Sequence, residues 1–274
     1  MDFGFLFWLF LIGLIVAALQ DLKRREVDDW LNLFLIVASF SFIFLRAIFE
    51  SNGILVYQLG FAVAIMFALM NLFYYGHVFA GGDAKLLFAM TALFIGVSFI
   101  ETLINIGTYT LFLMFAGSIY GLLYSLGLYF ANFKKVNAGI KKRLGGGILL
   151  SFVIGTVLLA GSFFNIYFLI LGVFAFLFPL LYIFAKGLEN ISMIKTIKGE
   201  DLREGDWLFE DVTVNGKTIL ANWDGVSRNE MKIMKNLKQV KIKEGIPFIP
   251  AFLLAFFFYV FFKDFFLSFF IGAV

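Results

Sequence analysis

Two aspartates stand out because each lies where a long apolar segment meets a polar loop. Asp21 follows the first apolar run, and Asp83 is set in the string Ala80-Gly81-Gly82-Asp83-Ala84-Lys85. A carboxylate at membrane depth is costly and tends to mark function. Two carboxyls can work as a pair across one water: the carboxylate takes a proton from the water while the carboxylic acid polarises a carbonyl group.

The helix dipole predicts which of the two aspartates keeps the shared proton. Like charges at close range do not both ionise cheaply, so the pair titrates as a unit. Asp21 follows the C-terminal end of an apolar helix, where a negative charge is disfavoured, and Asp83 precedes a helix, where it is favoured. We therefore expect Asp21 to carry the proton. If the fold brings them together, these are the groups of an aspartyl protease.

The composition predicts an integral membrane protein. Hydrophobic residues make up 62% of the 274 residues, charged residues 15%, and Phe alone occurs 40 times, more apolar surface than a soluble chain of this length can bury. Cys is absent and His77 is the one histidine, which excludes disulfides, thiol nucleophiles and Cys/His zinc sites. No G-x-S-x-G turn supports a serine hydrolase. We expect no metal, no cofactor and, at a net charge of +3, no nucleic-acid partner.

Apolar runs of about 20 residues predict an all-α polytopic membrane protein with about six to eight transmembrane helices. The first span has no basic n-region or cleavage site and is expected to be retained. The segment 148–185 contains either two spans or one re-entrant hairpin. The predicted spans are 3–20, 30–49, 54–75, 84–100, 104–131, 148–164, 166–185 and 247–262.

These spans predict three domains and an orientation. The domains are a transmembrane catalytic domain at 1–185, a small α+β insert at 186–246 and a final transmembrane helix at 247–274. Twenty of the 22 Lys and Arg fall in loops on one side of the membrane, and Arg46 and Lys263 are the exceptions. Since basic loops stay in the cytoplasm, the insert is predicted to be cytoplasmic and both termini outside. Asp21 and Asp83 then lie on the same, cytoplasmic face.

The sequence of the insert predicts a scaffold or substrate-docking module. Short strands are predicted at Trp207-Leu208-Phe209, Val212-Thr213-Val214 and Lys217-Thr218-Ile219-Leu220, with a type I′ turn at Asn215-Gly216. Trp207 is expected to anchor this hairpin. Ser227 and Glu230 form a capping-box pattern that starts a helix.

The two aspartate segments resemble the motifs of the type IV prepilin peptidases, and most closely those of the archaeal preflagellin peptidases, which are GxGD-type membrane aspartyl proteases. The residues that carry the resemblance are Asp21-Leu22-Lys23-Arg24-Arg25-Glu26-Val27-Asp28-Asp29-Trp30-Leu31-Asn32, then Gly82-Asp83-Ala84-Lys85-Leu86-Leu87 and the late stretch Gly245-Ile246-Pro247-Phe248-Ile249-Pro250-Ala251. The order and separation of the two motifs and the multi-span layout also match. One departure is Ala80, which stands where the G-x-G-D string has its first glycine.

The resemblance implies that Asp21 and Asp83 are the catalytic pair of an endopeptidase that removes short basic leaders from pilin-like or flagellin-like precursors at the cytoplasmic face. Gly81 and Gly82 would let the backbone turn tightly and approach a bound peptide, and Lys85 would modulate Asp83. A basic leader calls for an acidic surface, for which Glu26, Asp28 and Asp29 are the nearest candidates. Pro250 would line the mouth of the site.

Other interpretations fit some of these residues. Asp83 alone is typical of a helix N-cap, and Asp28 or Asp29 of a cap for the second span. The two aspartates could instead relay protons or hold a cation in a small secondary transporter. A non-enzymatic membrane scaffold is a third possibility, which leaves the aspartate pair unexplained.

Overall fold

The structure is a computed structural model that describes residues 4–134, 136–137, 146–163, 167–169, 171–173, 175, 193–214, 216–222 and 225–271. The chain divides into two compact units, Met1–Leu122 with Ile246–Val274 and Leu123–Gly245. The helices are α1 (Gly4–Arg24), α2 (Asp29–Phe49), α3 (Ile54–Tyr75), α4 (Gly81–Ala89), α5 (Phe99–Ala131), α6 (Gly146–Gly161), α7 (Arg228–Met234) and α8 (Ile249–Ile271).

Five helices among the described residues are long and apolar enough to cross a membrane: α1, α2, α3, α5 and α8. A mostly helical fold with a small sheet region is therefore confirmed, and the five apolar helices are consistent with the predicted membrane protein. The predicted span at 148–164 corresponds to α6, a shorter apolar helix. Most of the predicted span at 166–185 lies outside the described residues.

The prediction of one continuous span over 84–100 is wrong. Helix α4 ends at Ala89, and a 3-10 turn at Thr91–Phe94 leads into extended backbone at Ile95. The amide of Gly96 donates to Thr102 Oγ1 at 3.0 Å and that of Val97 to Glu101 Oε2 at 2.8 Å, so the first turn of α5 holds the loop. Most side chains from Leu86 to Phe94 are buried. The segment is apolar because it lies inside the helix bundle, which periodicity alone does not reveal.

The core of the first unit joins helices α1 to α5 and helix α8. Close helix contacts require small residues at two places: a Cβ added to Gly13 would lie 2.6 Å from Leu35, and one added to Gly117 would overlap the Phe248 ring. These contacts bring α1 against α2, and α5 against the segment that leads into α8. Fully buried side chains of this core include Phe10, Leu14, Leu86, Leu87, Tyr109, Phe252 and Phe256.

The second unit contains an antiparallel three-stranded sheet of order β1-β5-β2, formed by β1 (Ile194–Ile197), β2 (Trp207–Leu208) and β5 (Val240–Lys243). A separate hairpin pairs β3 (Val212–Val214) with β4 (Lys217–Ile219). The predicted hairpin and the helix after Ser227 are confirmed; the Ser227 amide and hydroxyl both donate to Glu230 Oε2, at 2.9 and 2.7 Å. The turn residue Asn215 lies outside the described residues.

The expected role of Trp207 in the hairpin is wrong. Trp207 belongs to β2 and pairs with Lys243 of β5. The chain turns away after Phe209, and Asp211 accepts a hydrogen bond from the Ala221 amide at 2.7 Å. Strands that are neighbours in sequence therefore lie in different sheets. Leu208, next to Trp207, is the residue that enters the small core of this unit.

Candidate active site

Asp21 lies in the last turn of α1 and is buried, with 5% of its surface exposed. Its Oδ2 accepts a hydrogen bond of 2.9 Å from the backbone amide of Ile249, the first residue of α8. The amide of Phe248 lies near the same carboxyl. Since the first amides of a helix have no partner within the helix, Asp21 serves as a capping acceptor for α8 across the bundle.

Asp83 is the third residue of α4, a nine-residue helix that is not among the five candidate spans. Ala80 precedes the helix in an extended conformation, and its carbonyl accepts the Ala84 amide at 3.1 Å. The Asp83 carboxyl faces the Ala80 amide in return. The N-cap interpretation of Asp83 is therefore wrong, because Ala80 is the N-cap residue, but Asp83 still supports the helix start from its third position.

Asp21 and Asp83 interact electrostatically although they are far apart in sequence. Burial, and after it the negative charge of Asp21, raise the pKa of Asp83 to about 7, although the hydrogen bond from the Ala80 amide opposes both effects. An acid ionises less readily when a neighbouring group already carries a negative charge. The fold therefore brings the two predicted carboxyls into one electrostatic unit.

The position of the shared proton differs from the sequence-based expectation. That expectation used only the dipole of α1, which disfavours charge on Asp21. The structure adds the N-terminus of α8, which donates a hydrogen bond to Asp21 and favours its ionised form. Of the two carboxyls, Asp83 is then the one that more readily stays protonated. The sequence does not show that two helix ends meet at one carboxyl.

Neither Gly81 nor Gly82 adopts a left-handed conformation, because the positive-φ glycines among the described residues are elsewhere. A Cβ on Gly81 would lie 3.7 Å from the Tyr74 ring, and one on Gly82 would lie 3.7 Å from the Val27 amide, both ordinary contacts. The turn into α4 uses His77 instead, with φ of 55°. The backbone conformation at these two positions therefore does not require glycine, contrary to the predicted tight turn.

The predicted acidic surface is already partly paired with cations of the same chain. Asp28 forms an ion pair of 2.7 Å with Arg24 and accepts the Trp30 indole N–H at 3.1 Å. Asp28 also occupies the cap position of α2, but its side chain makes no capping hydrogen bond. Asp29 pairs with Lys85 at 2.7 Å, and Glu26 is exposed. Lys85 thus contacts Asp29, which ties the first turns of α4 and α2 together.

Pro250 is the second residue of α8, and Pro247 is buried just before it. The residues that sequence reasoning missed lie beside them: the Ile249 amide and the ring of Phe79. Phe79 packs against Phe248 at 5.4 Å and Phe252 at 5.6 Å between ring centroids. Since Phe79 directly precedes the α4 entry, one aromatic contact fixes both helix starts. The Pro-x-x-Pro spacing was the only sequence signal for this turn.

Within the described residues, no cluster of His, Cys, Asp and Glu has the composition of a metal site. Comparisons of the chain with protein-family models, with curated proteins and with solved structures found no match. The resemblance to prepilin peptidases therefore rests on the motifs quoted above.

Proposed function

We propose that this protein is a membrane aspartyl endopeptidase that removes the short leader from prepilin-like or preflagellin-like precursors. The observation that carries the proposal is the electrostatic coupling of Asp83 to Asp21. A helix cap needs no second buried carboxyl beside it, whereas peptide hydrolysis by acid and base needs both. The family motifs supply the substrate class.

The proposed reaction assigns one role to each carboxyl. Ionised Asp21 takes a proton from a water molecule, whose oxygen attacks the scissile carbonyl carbon. Protonated Asp83 donates its proton to the carbonyl oxygen as the tetrahedral intermediate forms. The intermediate then collapses, the C–N bond breaks, and the leaving nitrogen receives the proton that Asp21 took up. Asp83 regains its own proton from the intermediate's hydroxyl, so the dyad returns to its starting state.

The depth of the pair supports substrate entry from a membrane surface. Asp21 lies in the last turn of α1, and Asp83 in the first turn of α4. Exposed aromatic side chains at the adjoining ends of α2 and α3, Trp30, Tyr74 and Tyr75, are typical of a membrane interface. We propose that this is the cytoplasmic face and that the insert lies on the same side. In this proposal both termini lie outside, and the total number of transmembrane helices is six to eight.

A secondary transporter is the alternative that one observation favours. Both amide atoms of Asn32 and the Nε2 of Gln58 are buried without a hydrogen-bond partner among the described residues. Unpaired polar atoms at membrane depth also occur along ion pathways. Proteoliposomes distinguish the two functions, because a transporter moves protons or cations down a gradient in the absence of precursor and a peptidase does not.

The proposal is tested by incubating the purified, membrane-reconstituted protein with synthetic prepilin-like and preflagellin-like precursors. Mass spectrometry of the products is expected to show cleavage at one peptide bond after the basic leader. A protein that is folded and inserted but cleaves neither class of precursor would refute the proposed function.

A further inference from the structure

Asp21 needs a partner that its own helix does not supply. It is buried near the C-terminal end of α1, where the unpaired carbonyls and the helix dipole oppose a negative charge. A buried carboxylate without a partner is strongly unfavourable. Arg25, just after the helix, contributes a favourable positive charge, and the hydrogen-bond donors come from another element.

The first turn of α8 has one amide that suits this need. Pro250 has no N–H, and the Ala251 amide already donates to the Phe248 carbonyl at 2.9 Å. The Ile249 amide is thus the donor left within the first three residues of the helix. It lies 2.9 Å from Asp21 Oδ2. The positive end of the α8 dipole reinforces this hydrogen bond.

Packing fixes this amide in place. Ile249 and Phe252 are fully buried, and the Tyr109 hydroxyl lies 3.4 Å from the Phe252 carbonyl. Phe79 contacts Phe248 and Phe252 while preceding the α4 entry. A donor held by a rigid, buried turn orients its acceptor more sharply than a loop or a water molecule does. The same turn therefore relates the Asp21 carboxyl to the start of the helix that bears Asp83.

We propose that the first turn of α8 is a positioning element which, through the Ile249 amide, keeps Asp21 ionised and oriented as the base of the pair. This inference rests on the proposed peptidase function. It assigns the amide no contact with substrate; its effect on catalysis passes through Asp21. It also gives the Pro250 position a physical role, because a residue without an N–H adds no donor that would compete with the amides of Ile249 and Phe248 for Asp21.

The test removes the amide and keeps the side chain. Exchanging Ile249 for its α-hydroxy acid analogue by nonsense suppression replaces the N–H with an ester oxygen. Ile249→Pro removes the same N–H genetically at a first-turn position, but it also replaces a fully buried side chain, so the ester variant decides where the two differ. Ile249→Val is the matched control, because it keeps both the amide and a β-branched side chain in the core.

The readouts are kcat, KM and the pH profile of kcat for precursor cleavage. We expect the ester and Ile249→Pro to lower kcat about tenfold or more, the usual effect of losing a hydrogen bond to a charged group. KM should change less than about twofold, since the amide does not touch substrate. The acidic limb of the profile should move upward by about one pH unit, because Asp21 ionises less readily without its donor. Ile249→Val should follow the wild type.

Thermal unfolding provides a readout that does not depend on cleavage. In wild type the ester should lower Tm, and in an Asp21→Ala background it should lower Tm less, because its acceptor is gone. Equal losses of Tm in both backgrounds, or an unmoved pH profile in an ester variant with wild-type KM, would overturn the positioning role. A wild-type protein that cleaves no precursor would instead refute the peptidase function.

Discussion

Lys85 Nζ lies 2.7 Å from Asp29 Oδ1 and so links the first turn of α4 to the first residue of α2. Both side chains are more than half exposed, at 55% and 76%. An exposed pair of this kind contributes about 0 to 1 kcal/mol. Its value to the site is therefore geometric, since it restrains the helix that carries Asp83.

A charge-swap experiment measures this restraint. Lys85→Glu places like charges opposite each other and should lower both Tm and kcat, whereas the double variant Asp29→Lys with Lys85→Glu should recover most of both. The coupling free energy from the double-mutant cycle should be about 1 kcal/mol or less and should shrink as salt is added. Equal losses in the single and double variants at every salt concentration would show that the contact does not restrain α4.

Some features of this structure could be predicted from the sequence alone, and the Lys85–Asp29 contact is one that could not. The helical membrane class, the α7 capping box, the β3–β4 hairpin and most span positions follow from local patterns. The pairing of Lys85 with Asp29, the β2–β5 pairing and the capping of α8 by Asp21 depend on residues that meet only after folding. The break in 84–100 was missed for a related reason, because a segment buried among helices and one facing lipid have similar compositions.

Neutralising the acids near Asp21 should weaken the binding of a basic leader. Asp28 and Asp29 are paired with Arg24 and Lys85, so their replacement by Asn leaves two cations uncompensated on that surface. With Glu26→Gln added, the KM for precursor should rise at low salt and approach wild type at high salt, and kcat should fall only by the small loss that breaking the Asp29–Lys85 pair causes. A penalty that is the same at every salt concentration would show that these acids support the fold and do not attract the leader.

The stability of the protein should depend on pH through Asp83. Its pKa of about 7 in the folded protein lies above the value of about 4 that an unfolded chain has. Between these values the unfolded chain has released a proton that the folded protein still holds, so folding becomes less favourable as pH rises from about 4 to about 7. The Tm of Asp83→Asn relative to wild type should therefore increase across this window and stay level above it.

The matched control for that experiment is Asp264→Asn, which removes an exposed carboxyl from α8. Thermal unfolding of the detergent-solubilised proteins from pH 4 to pH 8 supplies the measurement. A Tm difference for Asp83→Asn that is no larger at pH 7 than at pH 4 would show that Asp83 ionises as an ordinary surface acid.

The stability of the insert should depend on the buried side chain of Leu208. Trp207, which was expected to anchor the hairpin, lies outside it. Leu208 is 6% exposed in the core of the second unit, whereas Leu220 is 63% exposed. Leu208→Ala should cost about 2 to 5 kcal/mol, and Leu220→Ala about 0.5 kcal/mol or less. Hydrogen exchange of the β5 amides in the full chain measures the difference. Equal protection in the two variants would place Leu208 outside the core.

The central claim is that Asp21 and Asp83 form one catalytic pair, and the most direct measurement is precursor cleavage by Asp21→Asn and Asp83→Asn. Each replacement keeps the side-chain size and removes one proton-transfer group, and Asp264→Asn controls for the loss of a carboxyl. Each dyad variant is expected to remain inserted, with a Tm near that of wild type or higher, and to lose about 100-fold or more in kcat. Cleavage at near wild-type rates by either purified dyad variant would contradict the account.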